Sequence, residues 1–266
     1  PVFFVTNRQE KDKNGVADFS NERSKSLTYG ELVPGKNSED IKDSKRVIFK
    51  SESDLLSALK ATGSKKVAVF VHGYRKSFDG SMAFGIDMAK NLDAPLVVFA
   101  WPSKNNYGAY MADECTAEWS SQQLSQVIGD LGKSLGQHNV IVISHSLGAR
   151  MVERSMRILY SENKPRTAFG AALFFHPDVD RDTFMNDAPF LKEAFGSCKV
   201  YLDKHDTRIW LSKLLHGSPR VGSGDHNQSL TAISEIFKYD TSLPSHHIPF
   251  DIVAASVNSL DDSIEN

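Results

Sequence analysis

The sequence reads NVIVISHSLGAR from Asn139 to Arg150, and one serine in it, Ser146, separates a strand pattern from a helix pattern. The four residues before Ser144 are all β-branched, which is typical of a strand buried on both faces of a parallel sheet. Beyond Ser146, apolar residues recur at helical spacing as far as Leu159. The turn between the strand and the helix must therefore be very short.

A turn of this kind holds its serine in a strained backbone conformation, and only small residues fit two places before it and two places after it. Ser144 and Gly148 meet that demand. A helix that starts directly after Ser146 points its first N–H groups, including that of Leu147, at negative charge developing beside the serine oxygen. The pattern predicts a nucleophilic serine, and the alternative is a serine that only caps the helix.

The composition is that of a globular protein. With 266 residues, 40% hydrophobic and 24% charged, we expect a single domain over residues 1–266. The formal net charge of −2 and the scattered basic residues give no basis for binding nucleic acid. The sequence has neither the roughly 18 consecutive apolar residues of a membrane span nor a basic-then-apolar signal, so we expect a cytoplasmic protein unless a leader preceded Pro1. Cys115 and Cys198 are expected to be reduced and to face the core.

Strand and helix patterns alternate regularly from residue 66 onward. The predicted strands are 66–71, 95–101, 140–143, 168–175, 199–202 and 231–237, and helices are predicted over 79–92, 113–135, 187–195, 208–215 and 252–260 and directly after Ser146. Earlier in the chain we expect short strands at 2–5, 27–33 and 47–49, a polar loop at 7–26 and a helix at 55–61. The alternation predicts an α/β fold, with a mostly parallel central sheet and helices on both faces.

Ligands bind such sheets at the carboxyl ends of the strands, where Ser146 and the segment His72-Gly73-Tyr74 are predicted to lie. Further motifs accompany these two segments: Thr6-Asn7-Arg8, Leu27-Thr28-Tyr29-Gly30, Val71-His72-Gly73-Tyr74, Trp101-Pro102-Ser103, Ser144-His145-Ser146-Leu147-Gly148, Pro177-Asp178-Val179-Asp180 and Asp206. With these residues the chain resembles the α/β-hydrolase superfamily and, more narrowly, a bacterial family catalogued as alpha/beta hydrolases of unknown function. The resemblance runs from near residue 6 to about residue 250 and implies that fold, but no particular substrate.

The resemblance also implies roles for single residues. Ser146 would be the nucleophile, the N–H groups of Tyr74 and Leu147 would form the oxyanion hole, and the chain order would be serine, acid, histidine. For the base, the spacing to Phe250 favours His247. His246 is the alternative and His226 a third candidate.

Four carboxylates compete for the role of the acid: Asp178, Asp180, Asp203 and Asp206. Most α/β-hydrolases take the acid after the later of the two strands concerned, which favours the second pair. Asp206 is preferred because it matches the aspartate of the family and has room to reach a histidine loop, and Asp178 is the main alternative. Asp206 could instead only cap the following helix.

The chemistry that these residues predict is serine hydrolysis. A serine becomes nucleophilic when an imidazole takes its proton, and an acid must hold that imidazole in the right tautomer. We expect an acyl-enzyme formed from an ester, thioester or amide of a small or medium acyl group, with no metal and no cofactor. Only about twenty residues separate Phe175 from Lys199, which leaves no room for a large cap domain.

Two other functions use the same features. One is a non-catalytic binding or scaffolding module on a hydrolase fold, and the other is an acyltransferase with the same triad. His72 and His145 are expected to support the oxyanion loop and the elbow rather than to transfer protons. The open rim of the site is expected to include Tyr74, Arg75, Tyr107, Tyr110, Trp210 and Arg220.

Overall fold

A computed structural model describes residues 1–13, 16–33, 35, 41, 44–162, 167–202, 207–223, 238–240 and 246–260. The strands described are β1 (Val2–Lys13), β2 (Val16–Val33), β3 (Lys45–Ile48), β4 (Val67–Val71), β5 (Leu96–Phe99), β6 (Val140–His145), β7 (Phe169–Phe175), β8 (Phe195–Tyr201) and β9 (Lys238–Asp240). The α-helices described are α1 (Glu52–Ala61), α2 (Phe78–Ala89), α3 (Tyr110–Leu135), α4 (Leu147–Glu162), α5 (Arg181–Ala194), α6 (Thr207–His216) and α7 (Phe250–Asn258).

The described strands form one sheet in the order β3-β2-β1-β5-β4-β6-β7-β8-β9. In this spatial order, each pair of neighbouring strands between β1 and β9 is parallel. The β1–β2 and β2–β3 pairs are antiparallel. The predicted α/β architecture with a mostly parallel sheet is thus confirmed. β4 and β6, which carry the His72 segment and Ser146, are neighbours in the middle of the sheet, so both segments emerge side by side at the same edge.

Helices cover both faces of the sheet. Val140 and Val142 of β6 face a core layer completed by α1, α3, α4 and α5, while Ile141 and Ile143 face the layer under α2 and α7. All four side chains are at most 1% exposed. Burial of each contributes roughly 1.5–3 kcal/mol, which explains why an unbroken β-branched run rather than an alternating one forms this strand.

The prediction of a polar loop at residues 7–26 is wrong. β1 and β2 instead continue as a long hairpin whose pairing extends from Val2 opposite Leu32 to Lys13 opposite Val16. The hairpin packs against α3, where the side-chain amide of Asn7 donates to the Ser120 hydroxyl at 2.9 Å. Polar side chains with partners elsewhere in the chain therefore replace the apolar alternation that sequence analysis needs in order to recognise a strand.

Two element boundaries between β7 and β8 also differ from those expected. α5 begins six residues earlier than predicted, because the Asp180 carboxylate caps it by accepting from the Thr183 N–H at 2.9 Å. β8 begins at Phe195 rather than at 199. Only α5 lies between the two strands, so the expected absence of a large cap domain is confirmed. The predicted strand at 231–237 lies outside the described residues.

The two cysteines differ in environment. Both thiols are unpaired, but Cys115 is exposed while Cys198 is buried, so the expectation that both face the core is wrong for Cys115. Cys115 lies on the outer side of α3, where the helical spacing turns it away from the sheet. Among the described helices, none combines the length and the apolar character that crossing a membrane requires.

Candidate active site

Ser146 occupies a sharp turn between β6 and α4. β6 ends at His145 and α4 begins at Leu147, and Ser146 itself has φ +51°, in the left-handed region that non-glycine residues rarely adopt. The Ser146 N–H donates to the Phe175 carbonyl at 2.9 Å, and its carbonyl accepts from the Ala149 N–H at 3.0 Å. The surrounding hydrogen bonds hold the strained residue in place, as the predicted elbow requires.

Small residues let neighbouring backbone approach this turn closely. A Cβ on Gly148 would lie 2.5 Å from the Val71 carbonyl oxygen and 2.8 Å from that of His72. A Cβ on Gly73 would lie 3.0 Å from both the Ser146 Cβ and the His145 Nδ1 atom. The loop after β4 therefore lies directly beside the serine, and this contact depends on both glycines.

The β4–α2 loop, residues 72–77, carries Tyr74, one of the two proposed oxyanion donors. Its hydroxyl donates to the Asn106 carbonyl at 2.8 Å, and its ring meets that of Tyr110 edge-on at 5.2 Å. Leu147 is the first residue of α4, where backbone N–H groups have no acceptor within the helix. Both N–H groups thus belong to segments that adjoin Ser146.

A buried arginine holds the β4–α2 loop. Arg8, 1% exposed, donates from Nη2 to the Lys76 carbonyl at 2.8 Å and from Nε to the Ala100 carbonyl at 3.1 Å. Burial lowers the pKa of Arg8 to about 9, so the side chain stays charged near neutral pH. The Ser103 hydroxyl accepts from the Lys76 N–H at 3.1 Å and donates to Asp113. Arg8 and Ser103 belong to the motifs of the family resemblance, but the sequence does not reveal their roles, because their partners are distant in the chain.

His72 and His145 are neutral supports. The His72 ring stacks on Trp101 with centroids 5.0 Å apart, and its Nδ1 donates to the Gly73 carbonyl at 2.8 Å. Burial lowers the pKa of His72 to about 3. Burial, followed by the neighbouring His246 and His176, lowers the pKa of His145 well below its ordinary value. Neither imidazole is poised to exchange protons near neutral pH, in agreement with the supporting roles expected of them.

The two candidate base residues differ in packing. The His246 ring lies 4.7 Å from that of His145 and 5.2 Å from that of His176, whereas the His247 side chain is exposed. Their backbone is fixed above the ends of β6 and β7, since His145 Nε2 donates to the His246 carbonyl at 3.1 Å and His176 Nε2 to that of His247 at 3.3 Å. The structure thus brings both histidines to the edge of the sheet that bears Ser146. His226 lies outside the described residues.

Asp178 is buried and fully engaged. Its backbone N–H donates to the Ser146 carbonyl at 3.1 Å, while its carboxylate accepts from the Ser212 hydroxyl at 2.7 Å and from the Tyr110 hydroxyl. Arg220 lies 3.5 Å from the same carboxylate. Burial and then the charge of Asp178 raise the pKa of Tyr110, which keeps the phenol protonated as a donor. Asp178 therefore connects Tyr110 of α3 and Ser212 of α6 to the turn at Ser146. None of its described hydrogen bonds involves a histidine.

Of the other carboxylates, Asp180 serves as the cap of α5 described above. Asp203 and Asp206 lie outside the described residues. They occupy the connection between the end of β8 and the start of α6, whose Ser212 faces the site. The preferred acid, Asp206, accordingly stays a prediction.

A cavity of about 290 Å³ joins these groups. Its lining includes Ser146, Asp178, His246 and His247. The apolar walls are formed by Phe70, Phe84, Ile209, Leu215 and Ile248. The rim is formed by Tyr74, Arg75, Lys76, Tyr107 and Tyr110. Arg220 is buried beside Asp178 and is not a rim residue, which corrects the expectation. The Trp210 side chain lies outside the described part. Within the described residues, no group of three or more His, Cys, Asp or Glu side chains could hold a metal ion.

The similarity to known proteins extends over most of the chain. A family described as "Alpha/beta hydrolase of unknown function (DUF900)" matches residues 48–239. A comparison with curated protein sequences returns no significant match. Among solved structures, esterase PE8 is 14% identical with a TM-score of 0.50, over 87% of this chain and 98% of that one. An esterase from the archaeon Pyrobaculum calidifontis is 11% identical with a TM-score of 0.43, over 87% and 85% of the two chains.

Proposed function

This chain belongs to the alpha/beta hydrolases of unknown function, and on that basis we propose that it is a serine hydrolase of the carboxylesterase type that acts on small esters. One observation supports this most directly. Ser146 sits on the strained turn, with φ +51°, and lines the same cavity as His246 and His247. The esterase PE8, which shares the fold, shows that such a scaffold is compatible with ester hydrolysis.

The proposed reaction proceeds through an acyl-enzyme. The Ser146 hydroxyl attacks the ester carbonyl while a histidine takes its proton, and the resulting oxyanion accepts from the N–H groups of Tyr74 and Leu147. The C–O bond to the alcohol then breaks, and the protonated histidine returns its proton to the departing oxygen. Water, activated by the same histidine, attacks the acyl-serine and releases the acid.

For the base we propose one residue of the His246–His247 pair, and ring packing favours His246. An imidazole in a triad must reach from the nucleophile after β6 to an acid after β8, so it must lie above the strand between them. The His246 ring packs on His145 and His176, which mark the ends of β6 and β7. The spacing that favours His247 is an argument from the family alone. If His246→Gln loses activity while His247→Gln keeps most of it, the packing argument holds, and the reverse result returns the role to His247.

For the acid we propose Asp206, because the carboxylate of Asp178 is engaged by Ser212, Tyr110 and Arg220. Asp206→Asn should leave the fold intact and lower kcat by about 10³ to 10⁴, since the histidine would take the wrong tautomer. The rate should fall at acid pH, because a protonated histidine cannot accept the proton of the serine hydroxyl.

Labelling with a fluorophosphonate probe tests the proposal, because the probe reacts only with an activated serine. We expect stoichiometric labelling of the folded protein and none in Ser146→Ala. Ser81→Ala is a matched control, since this buried serine donates to the Phe78 carbonyl at 2.7 Å within α2, away from the cavity. Absence of labelling in the wild-type protein would leave a non-catalytic binding module as the better reading.

A further inference from the structure

Arg75 has a backbone conformation that its residue type does not favour. Its φ is +59°, in the left-handed region that glycine adopts freely and that costs an arginine roughly 1–2 kcal/mol. The Arg75 N–H lies 3.4 Å from the Asp113 carboxylate, which helps to fix this conformation. A strained arginine directly after Tyr74, at the rim of the cavity, suggests that its side chain is used there.

The guanidinium of Arg75 is held by an aromatic ring, which leaves the N–H groups at its edge able to donate to a ligand. Its Cζ atom lies over the Tyr107 ring, 3.7 Å from the centroid, a distance at which a guanidinium stacks on the ring, and Tyr107 itself is 82% exposed. Such stacking occupies the face of the guanidinium and leaves the N–H groups at its edge, which match a carboxylate in two parallel hydrogen bonds. Among the described residues, no carboxylate forms an ion pair with the Arg75 guanidinium.

The charges around the cavity favour an anion. Among the described lining residues, Arg75 and Lys76 are cationic and Asp178 is the only carboxylate. The charge of Asp178 is already offset by Arg220 at 3.5 Å and by hydroxyl donors. The guanidinium of Arg75 at the rim therefore attracts negatively charged ligands to its end of the cavity.

We propose that Arg75 binds a carboxylate of the substrate, so that the esters preferred by this hydrolase carry a free carboxylate near the bond that is cleaved. The inference rests on the proposed function and adds the substrate class to it. Because Arg75 directly follows Tyr74, the proposed oxyanion donor, the carboxylate must lie within a few bonds of the reacting carbonyl. It can stand on either the alcohol half or the acyl half of the ester.

Two pairs of esters test this proposal. In the first, 4-acetoxybenzoate is compared with its methyl ester, and in the second, mono-(4-nitrophenyl) adipate with 4-nitrophenyl methyl adipate. For at least one pair, we expect kcat/KM of the anionic ester to exceed that of the neutral one by about 10- to 100-fold, as charge-assisted hydrogen bonds provide. Arg75→Gln should lower this ratio at least tenfold, and 0.5 M salt should lower it in the wild type.

The control is Arg46→Gln. Arg46 pairs with Asp18 and Asp79 and lies over the Phe78 ring, so it contributes a comparable charge to the same half of the molecule without lining the cavity. This variant should keep the wild-type ratio. A ratio near one for both ester pairs, or a ratio unaffected by Arg75→Gln, overturns the inference while the proposed function stands. If no ester is cleaved and Ser146 is not labelled, the proposed function fails and the inference fails with it.

Discussion

Replacing Asp178 by asparagine separates a structural carboxylate from a catalytic one. The Asp178 and Arg220 side chains are each only 3% exposed and lie 3.5 Å apart. Asparagine keeps one acceptor oxygen, for instance for the Ser212 hydroxyl, but it removes the negative charge and turns an amide N–H₂ toward another donor. Asp178→Asn therefore affects both the buried ion pair and its hydrogen bonds.

The expected cost follows from these contacts. Removing one partner of a buried ion pair costs about 3–5 kcal/mol, and the retained acceptor of asparagine places this variant at the lower end, about 3 kcal/mol. That is a large part of the 5–15 kcal/mol typical of a whole domain. Catalysis by the folded fraction should fall less than tenfold, because the proposed acid is Asp206.

The measurements are urea unfolding of the wild type, Asp178→Asn and Ser212→Ala at pH 7.5, together with kcat for each folded variant on a short aryl ester. Ser212→Ala removes one donor to the same carboxylate and leaves the ion pair, so about 1 kcal/mol is expected for it. A stability change below about 1 kcal/mol in Asp178→Asn, combined with a thousandfold loss of kcat, would show that Asp178 is the acid and that this assignment is wrong.

Two further predictions concern α4. Gly148→Ala should abolish fluorophosphonate labelling or prevent folding, because its Cβ would lie 2.5 Å from the Val71 carbonyl oxygen. Ala149→Gly is the control and should retain labelling. A Gly148→Ala protein that is labelled at the wild-type rate would contradict the close approach of the two segments. Burial raises the pKa of Glu153 from its ordinary 4.5 to about 7. The folded chain thus holds this proton more tightly than the unfolded chain. The cost of burying the carboxylate is therefore absent below about pH 4.5, grows between about pH 4.5 and 7, and is fully present above about pH 7. Glu153→Gln should therefore raise the free energy of unfolding by up to about 3 kcal/mol at pH 8.5 and change it little at pH 4.5. Denaturant titrations at the two pH values measure this difference. Equal effects at both would refute the burial argument.

The fold could be predicted wherever the pattern was local. The β-branched run of β6 and the helical spacing after Ser146 both reflect burial in a parallel sheet, and burial leaves a periodic signature in the sequence. The small residues Ser144 and Gly148 are likewise a local signal, because the turn at Ser146 has no room for larger side chains at these positions. For these reasons the elbow, the alternation of strands and helices and the absence of a large cap were all accessible from the sequence.

Other features were decided by tertiary structure. The polar residues of the N-terminal hairpin are strand residues because α3 and the β4–α2 loop supply partners, and Arg8 lies 68 positions from the Lys76 carbonyl to which it donates. Likewise, the Asp178 carboxylate accepts a hydrogen bond from Ser212, which lies 34 residues further along the chain. Hydrogen bonds between polar side chains depend on distances of about 3 Å between groups far apart in the chain, and such contacts impose no period on the sequence that could reveal them.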